Sequence, residues 1–149
     1  MVTKHKIRLK MKKNVPVSTI MTSNVIKLNV TDSLSKAEKL FKEHKIRHIP
    51  VMSGNKIIGM LSYTDLLRIS FAETIDDEDQ IIDVTVYEVF TIEQVMAKNL
   101  ICISPDSTIK EAAEILANRE FHALPVTENG NLIGILTTTD LIKYLLHLY

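Results

Sequence analysis

Two short stretches of the chain carry hydroxyl groups followed by a carboxylate. The residues are Ser62, Thr64 and Asp65 in the first stretch and Thr137, Thr139 and Asp140 in the second. Hydroxyls and unpaired N–H groups at the start of a helix can hold a phosphate or a sugar hydroxyl, and an aspartate can accept two hydrogen bonds from a vicinal diol such as ribose. The same residue types also cap helices, because their oxygens accept from the free amides of a first turn. From the residues alone, ligand binding and helix capping both stay open.

The two stretches are copies within an internal repeat. Ile49-Pro50-Val51 reappears as Leu124-Pro125-Val126, and the same offset of 75 positions carries Met21 onto Met96. The register holds without a gap from Ile20 to Leu67. Agreement over such a length indicates the duplication of one structural unit.

Each copy has the pattern of five elements in the order β-α-β-β-α. A short apolar run, Val25–Leu28 and its counterpart Leu100–Ile103, predicts a strand. Apolar residues at spacings of three and four then predict an amphipathic helix. Its candidate caps are Asp32, Ser33, Ser107 and Thr108. Two apolar runs around a turn rich in Gly and Asn predict a hairpin, and a second helix is expected to begin at Thr64-Asp65 and at Thr139-Asp140.

Pro50 and Pro125 lie inside the first run of each hairpin. Because proline donates no backbone hydrogen bond, this run is predicted at a sheet edge or at a strand start. One such unit is too small to cover its own sheet. We therefore expect an α/β (α+β) fold in which two pseudo-symmetric β-α-β-β-α repeats pack sheet to sheet, with clefts between them.

Composition narrows the class of protein. The chain has 149 residues, 46% of them hydrophobic, and Lys+Arg 18 balance Asp+Glu 18, which indicates a globular chain rather than a disordered tail. Cys102 is the only cysteine, so a disulfide framework and a cysteine-based zinc site are excluded. We expect Cys102 to be buried as a small apolar residue. A single cysteine also fits a reducing compartment, so we expect a cytoplasmic protein. No apolar run approaches the roughly 20 residues of a membrane helix.

Charge is unevenly distributed along the chain. We expect a basic N-terminal arm at residues 1–16, the first repeat at 17–69, an acidic connector at 70–91 and the second repeat at 92–149. A basic arm can bind nucleic acid through counterion release, but we favour a solvated leader. The connector is expected to be solvated as well, with a short helix near Val84–Phe90.

The doubled unit, the Pro-Val strand followed by a turn, and the Gly-x-x-Ser/Thr-x-x-Asp ending resemble a tandem pair of cystathionine-β-synthase (CBS) domains, a Bateman module. The likeness covers about Val17–Ile69 and Ile92–Leu146. The resemblance implies a flattened pseudo-symmetric unit whose two clefts often bind adenine nucleotides. It also implies dimerisation into a disc, since modules of this kind commonly form one.

The resemblance further implies which residues contact the nucleotide. The ribose hydroxyls would be held by two carboxylates, Asp65 and Asp140. Neighbouring hydroxyls would lie near the ribose or phosphate, namely those of Ser62, Thr64, Thr137 and Thr139. The wall around the adenine would be formed by two segments, Met21 to Ile26 and Met96 to Ile101.

The same resemblance implies two cation positions. Arg47 and His122 precede the Pro-Val strand, where the family often presents a cation to phosphate, and His48 lies next to Arg47. Arginine pairs bidentately with phosphate and stays charged, whereas an unperturbed histidine is mostly neutral at pH 7. Ala123 replaces His48 in the second copy. We expect two inequivalent clefts, of which the one using Arg47 and His48 is the better polyphosphate site.

Together these features predict a non-catalytic regulatory protein. It would bind AMP, ADP or ATP, sense cellular energy and signal to an unidentified partner protein, as a homodimer. After the two repeats no part of the chain is left for a catalytic domain, and no catalytic cofactor or metal is expected. A ligand-free interaction scaffold is the alternative, and nucleic-acid binding through the basic arm is the least favoured interpretation.

Overall fold

The computed structural model describes residues 14–73 and 87–149. The elements of the first half are the 3-10 turn Val17–Thr19, β1 (Leu28–Asn29), α1 (Leu34–His44), β2 (His48–Ser53), β3 (Lys56–Ser62) and α2 (Tyr63–Glu73). Those of the second half are α3 (Ile92–Val95), α4 (Ile109–Ala117), β4 (Ala123–Glu128), β5 (Asn131–Thr137) and α5 (Thr138–His147). Most of the predicted basic arm and most of the predicted connector lie outside the described residues. Of the helix predicted near residues 84–90, residues 87–89 are described and are helical.

The two halves repeat the predicted order of elements. In the first half β1 lies parallel to β2 through the pair Leu28 and Val51, and β2 pairs antiparallel with β3. In the second half β4 and β5 pair antiparallel, and Ile103 forms a single parallel bridge to Val126. That bridge is the counterpart of the Leu28 pair. The α+β class with two similar units is therefore confirmed.

The first strand of each unit is shorter than its apolar run indicates. β1 contains only Leu28–Asn29, and the run Leu100–Ile103 contributes one bridge. Val25 and Leu100 instead pack against a small buried cluster whose members are Met60, Ala123 and Ile135. Met60 is in β3, whereas Ala123 is in β4 and Ile135 is in β5. The apolar runs therefore pack at the contact between the two halves.

Pro50 lies inside the three-stranded sheet. It is the third residue of β2, which is the middle strand, so the prediction of a sheet edge or strand start is wrong for the first half. The strand tolerates proline here because β1 joins β2 only from Val51 onward. No residue of β1 pairs with Pro50, so none needs the N–H that proline lacks. In the second half, the carbonyl of Pro125 accepts the amide of Ile103 at 3.0 Å.

The helices that follow β1 and its counterpart are capped by two of the predicted residues. Ser33 Oγ accepts the amide of Lys36 at 3.1 Å. Thr108 and Glu111 form a reciprocal capping box, with distances of 3.1 Å and 2.8 Å. Each cap satisfies amides that the first helical turn cannot pair internally.

Each half has its own hydrophobic core, completed by a segment from the other half. Ile92 and Met96, which precede the second unit, are buried in the core of the first half. Val17, which precedes the first unit, is buried in the core of the second half. We call residues 15–22 and 92–97 the leading segments. Because the halves exchange these segments, each core depends on residues from the other half.

Paired backbone hydrogen bonds hold the leading segments in place. The amides of Thr22 and Ile135 donate to each other's carbonyls at 2.9 Å and 3.0 Å, and those of Ala97 and Met60 do the same at 2.9 Å and 3.0 Å. The two pairs are related by the repeat offset, so the exchange is pseudo-symmetric. Between them β3 contacts β5, which confirms that the two sheets pack against each other.

Two glycines make room for the methionines of the leading segments. A Cβ added at Gly134 would lie 2.5 Å from Sδ of Met21, and one added at Gly59 would lie still closer to Sδ of Met96. Both glycines are buried within β5 and β3. The requirement for glycine is therefore one of space at the junction of the halves.

Gly59→Ala is expected to lower the free energy of unfolding by about 1–3 kcal/mol, because the new methyl group overpacks against Met96. Met96→Ala alone should cost about 2–5 kcal/mol through the cavity it leaves. The double variant should lose less free energy of unfolding than the two single variants together, since the shortened side chain makes room for the methyl group. Urea unfolding measures all three, and strictly additive costs would contradict the contact.

Candidate functional site

The two predicted ribose carboxylates lie in the first turns of α2 and α5. Asp65 accepts the amide of Ser62 at 3.0 Å, and its own amide donates to Ser62 Oγ at 3.1 Å. Asp140 accepts the amide of Thr137 at 2.8 Å, and its amide donates to Thr137 Oγ1 at 3.2 Å. Ser62 and Thr137 are therefore the capping residues. Both helices begin one residue before the predicted position, and the aspartates are their third residues.

Capping uses one oxygen of each carboxylate. Among the described residues, every hydrogen bond to the Asp65 and Asp140 side chains reaches Oδ2. An ionised carboxylate has about four acceptor positions on its two oxygens, so Oδ1 keeps the capacity to accept from a ligand. The two interpretations left open by the sequence are thus compatible, because one aspartate can cap its helix and still bind a hydroxyl.

The other two predicted hydroxyls, those of Thr64 and Thr139, are on exposed residues at the second helical position. They adjoin the capping turns without taking part in the capping box. Both hydroxyls therefore remain accessible from solvent, beside the aspartates that follow them in the sequence.

Backbone hydrogen bonds hold each capping turn beside a predicted cation. The amide of Tyr63 donates to the carbonyl of Arg47 at 2.9 Å, and the amide of Thr138 donates to the carbonyl of His122 at 3.0 Å. Arg47 and His122 immediately precede β2 and β4. Each cation position therefore adjoins the capping turn of its own half.

His48 shows that charged groups of both halves lie close together. Burial lowers the pKa of His48, the positive charges of His122 and Arg47 lower this pKa as well, and the carboxylate of Asp65 opposes them. Interactions between such groups fade beyond about 10 Å in 0.1 M salt. The side chains of Arg47, His48 and Asp65 therefore share one region with His122 of the second half, where three cationic or protonatable groups can attract an anion.

The residues predicted to surround an adenine have different positions. Met96 is only 7% exposed and packs in the first core, while Met21 is partly buried and packs against the second core. Ile26 and Ile101 are partly buried as well, each against the core of its own half. The methionines thus anchor the leading segments, and both isoleucines are partly exposed.

Two cavities adjoin these residues. The larger, of about 690 Å³, is lined by Asn99–Ile101 and by Asn118–Phe121. The smaller, of about 270 Å³, is lined by Asp65, Arg68, Ile69, Phe90, Gln94 and Val95. The smaller cavity contains a predicted ribose carboxylate and the larger contains part of the predicted adenine wall.

Arg119 and Arg68 line these cavities and were missed by the sequence interpretation. A signal for Arg68 was present, because the repeat offset carries it onto Lys143, so both copies have a cation three residues after the aspartate. The ungapped register ends at Leu67, one residue before Arg68. Arg119 has no such signal, since its counterpart is His44.

Cys102 is exposed, so the expectation of a buried residue is wrong. It lies between the inward-facing Ile101 and Ile103 and points away from the core. Within residues 14–73 and 87–149, no helix combines the length and apolar character needed to cross a bilayer. The same residues contain no cluster of three or more His, Cys, Asp or Glu suited to a metal ion.

The chain matches one protein family over most of its length. The profile of the CBS domain matches residues 17–72 and again residues 92–147. The chain belongs to the CBS domain family. The resemblance that the motifs indicate is thus confirmed, with two tandem CBS domains. A curated relative is inosine-5'-monophosphate dehydrogenase of Korarchaeum cryptofilum, 31% identical over 118 residues; this match spans 78% of the present chain but 21% of the enzyme.

Solved CBS structures share the fold. CBSX2 in complex with AMP has a TM-score of 0.71 at 22% identity, over 89% of this chain and 96% of CBSX2. The CBS domain pair of protein MJ0100, in complex with 5'-methylthioadenosine and S-adenosyl-L-methionine, has a TM-score of 0.72 at 22% identity, over 89% of this chain and 96% of that one. At this identity the likeness establishes the fold alone.

The lowered pKa of His48 makes stability depend on pH. An unfolded histidine titrates near pH 6.5. Since the folded-state pKa is lower, the unfolded chain takes up this proton first as the pH falls. The contribution to the free energy of unfolding is therefore present above about pH 6.5 and is lost below it, levelling off below the folded-state pKa.

Urea unfolding between about pH 7.5 and 5.5 tests this dependence across the ordinary histidine pKa. His48→Gln should lose less stability over this range than the wild-type chain, whereas the exposed control His44→Gln should lose as much as the wild type. Equal pH dependence in all three proteins would show that His48 is not held in its neutral form.

Proposed function

We propose that this CBS pair is a regulatory module that binds an adenine nucleotide between its halves. The observation that carries the proposal is the spare oxygen of Asp65 near the guanidinium of Arg47 and the imidazoles of His48 and His122. A diol acceptor next to cations matches a ribose that carries phosphate. The AMP bound by CBSX2 and the adenosine compounds bound by MJ0100 support an adenine-type ligand for this fold.

Regulation by such a ligand requires differential binding. A nucleotide changes the state of the module only by as much as its affinity differs between two arrangements of the halves. Phosphate would pair with the guanidinium of Arg47 and accept hydrogen bonds from the imidazoles of His48 and His122, and so favour the arrangement that brings these residues together. This mechanism is consistent with a sensor of cellular energy that responds to AMP, ADP or ATP and signals to a partner protein in the cytoplasm.

The proposed role is non-catalytic. The family profile accounts for residues 17–72 and 92–147, and the chain spans about a fifth of the length of the dehydrogenase that it resembles. The activity of that enzyme is therefore not transferred to this chain. The nucleotide is proposed as a signal rather than as a cofactor.

We include homodimerisation in the proposal because one face of α5 is apolar and exposed. Ile142, Leu145 and Leu146 are 53%, 51% and 68% exposed, and Tyr149 follows at the same helical spacing. The sequence pattern indicates an amphipathic helix, yet only its partly buried Leu141 packs against the second core. A contiguous apolar stripe of this kind marks an interface, and a second copy of the module would cover it.

A ligand-free scaffold remains the second candidate. The observation that favours it is the capping box, since Asp65 and Asp140 already have a structural role without a ligand. The two candidates differ in what removal of the carboxylate does to ligand binding, which provides a direct test.

A thermal-shift titration with AMP distinguishes them. At 100 times its dissociation constant, AMP should stabilise the wild-type protein by about 2.7 kcal/mol. Asp65→Ala should lose most of this stabilisation, in addition to about 1 kcal/mol from the broken cap. Glu111→Ala is the matched control, because Glu111 has the same capping role in α4. It should lose a similar amount of stability and keep the response to AMP.

An AMP response that is absent from the wild-type protein, or equal in Asp65→Ala and Glu111→Ala, would contradict nucleotide binding at Asp65. ADP, ATP and S-adenosyl-L-methionine in parallel titrations would show which adenine compound is preferred.

The double variant Ile142→Glu/Leu146→Glu should be monomeric, because buried glutamates in the covered stripe would lose their hydration. Size-exclusion chromatography with light scattering should give twice the chain mass for the wild type and for the control Val89→Glu, which alters an exposed apolar residue outside α5. A monomeric wild type, or a dimeric double variant, would contradict this interface.

A further inference from the structure

The smaller cavity combines three kinds of chemical group. Asp65, Arg68 and Ile69 lie on one face of α2, because residues three and four apart share a face of a helix. Phe90, Gln94 and Val95 complete the lining of the cavity. The cavity of about 270 Å³ therefore has a carboxylate, a guanidinium and an amide beside an apolar surface.

The polar groups of this cavity are divided into an acceptor and donors. Asp65 retains Oδ1 as an acceptor, as described above. Gln94 Oε1 accepts the amide of Thr91 at 2.9 Å, so its NH₂ group remains a donor. Arg68 adds the five N–H donors of a guanidinium. A ligand that suits the cavity carries hydroxyls for Asp65 and an anionic group for Arg68 and Gln94.

From this geometry we infer that Arg68 is a specificity residue that contacts the phosphate of a nucleotide whose ribose binds Asp65. The inference rests on the proposed function and names a phosphate contact for that site. One helical turn rises about 5.4 Å, so Arg68 lies almost one turn beyond Asp65. Arg68 is exposed, and its long side chain can reach a phosphate attached to the ribose.

The repeat supports the assignment independently. Lys143 follows Asp140 by the same three residues, so each half has a cation at this position. The positions of Gln94 and Thr19 are also equivalent under the repeat offset, and both are polar. By contrast Arg47 is matched by a histidine, His122. The cation after the aspartate is thus a positive charge that both halves share.

A phosphate held by Arg68 would also connect the two halves. The lining of the cavity includes Gln94 and Val95 of α3, and α3 belongs to the leading segment that packs into the first core. A ligand touching both Asp65 in α2 and Gln94 in α3 would bridge that junction. Binding at this cavity therefore reports directly on the position of the exchanged segment.

Isothermal titration with AMP and with adenosine tests the inference. Arg68→Gln should bind AMP about tenfold or more weakly than the wild type, because a charged hydrogen bond to phosphate is lost. Its affinity for adenosine should be unchanged, since adenosine has no phosphate. Arg68→Lys should recover part of the AMP affinity. The control Lys110→Gln removes an exposed cation from α4 and should bind both compounds as the wild type does.

The outcomes separate the inference from the proposed function. If the wild-type protein binds neither AMP nor adenosine, the proposed function is wrong and the inference with it. If the wild type binds AMP and Arg68→Gln binds it equally well, only the inference is overturned.

Discussion

The exchange of leading segments is the constraint on which the rest of the structure depends. Met96 packs on Gly59, and Met21 packs on Gly134. The residue after each methionine forms a pair of backbone hydrogen bonds with the sheet of the other half. Neither core is complete without a segment from the other half. The two halves therefore have a defined relative position, and groups from both can be held at fixed places along their junction. The proposed site between the halves depends on this packing.

The aspartates show how structural and functional demands can meet in one residue. Asp65 uses Oδ2 to close the start of α2 and retains Oδ1. The cap fixes the orientation of the carboxylate before any ligand arrives, which reduces the entropy that binding must overcome. Around it the charges are unequal in the two halves: Arg47 and His48 correspond to His122 and Ala123. A pseudo-symmetric scaffold thereby carries different side chains at equivalent positions of its two halves.

Much of this arrangement was predictable from the sequence, for physical reasons that also explain the failures. The repeat, the hairpins and the caps at Ser33 and Thr108 depend on local patterns, and the structure has them. The length of β1, the position of Pro50 and the exposure of Cys102 depend on packing between distant segments, which local periodicity does not contain. The exchange of Met21 and Met96 was hidden for the same reason. These residues matched the repeat, but nothing in their spacing indicated that each fills the other half.

Hydrogen–deuterium exchange with and without saturating AMP tests most directly whether a nucleotide is held by groups from both halves. We expect slower exchange in peptides covering the start of α2 at residues 62–66 and, at the same AMP concentration, in peptides covering α3 and the segment to residue 101. Slower exchange confined to one half, or no change in either, would contradict a site built across their junction.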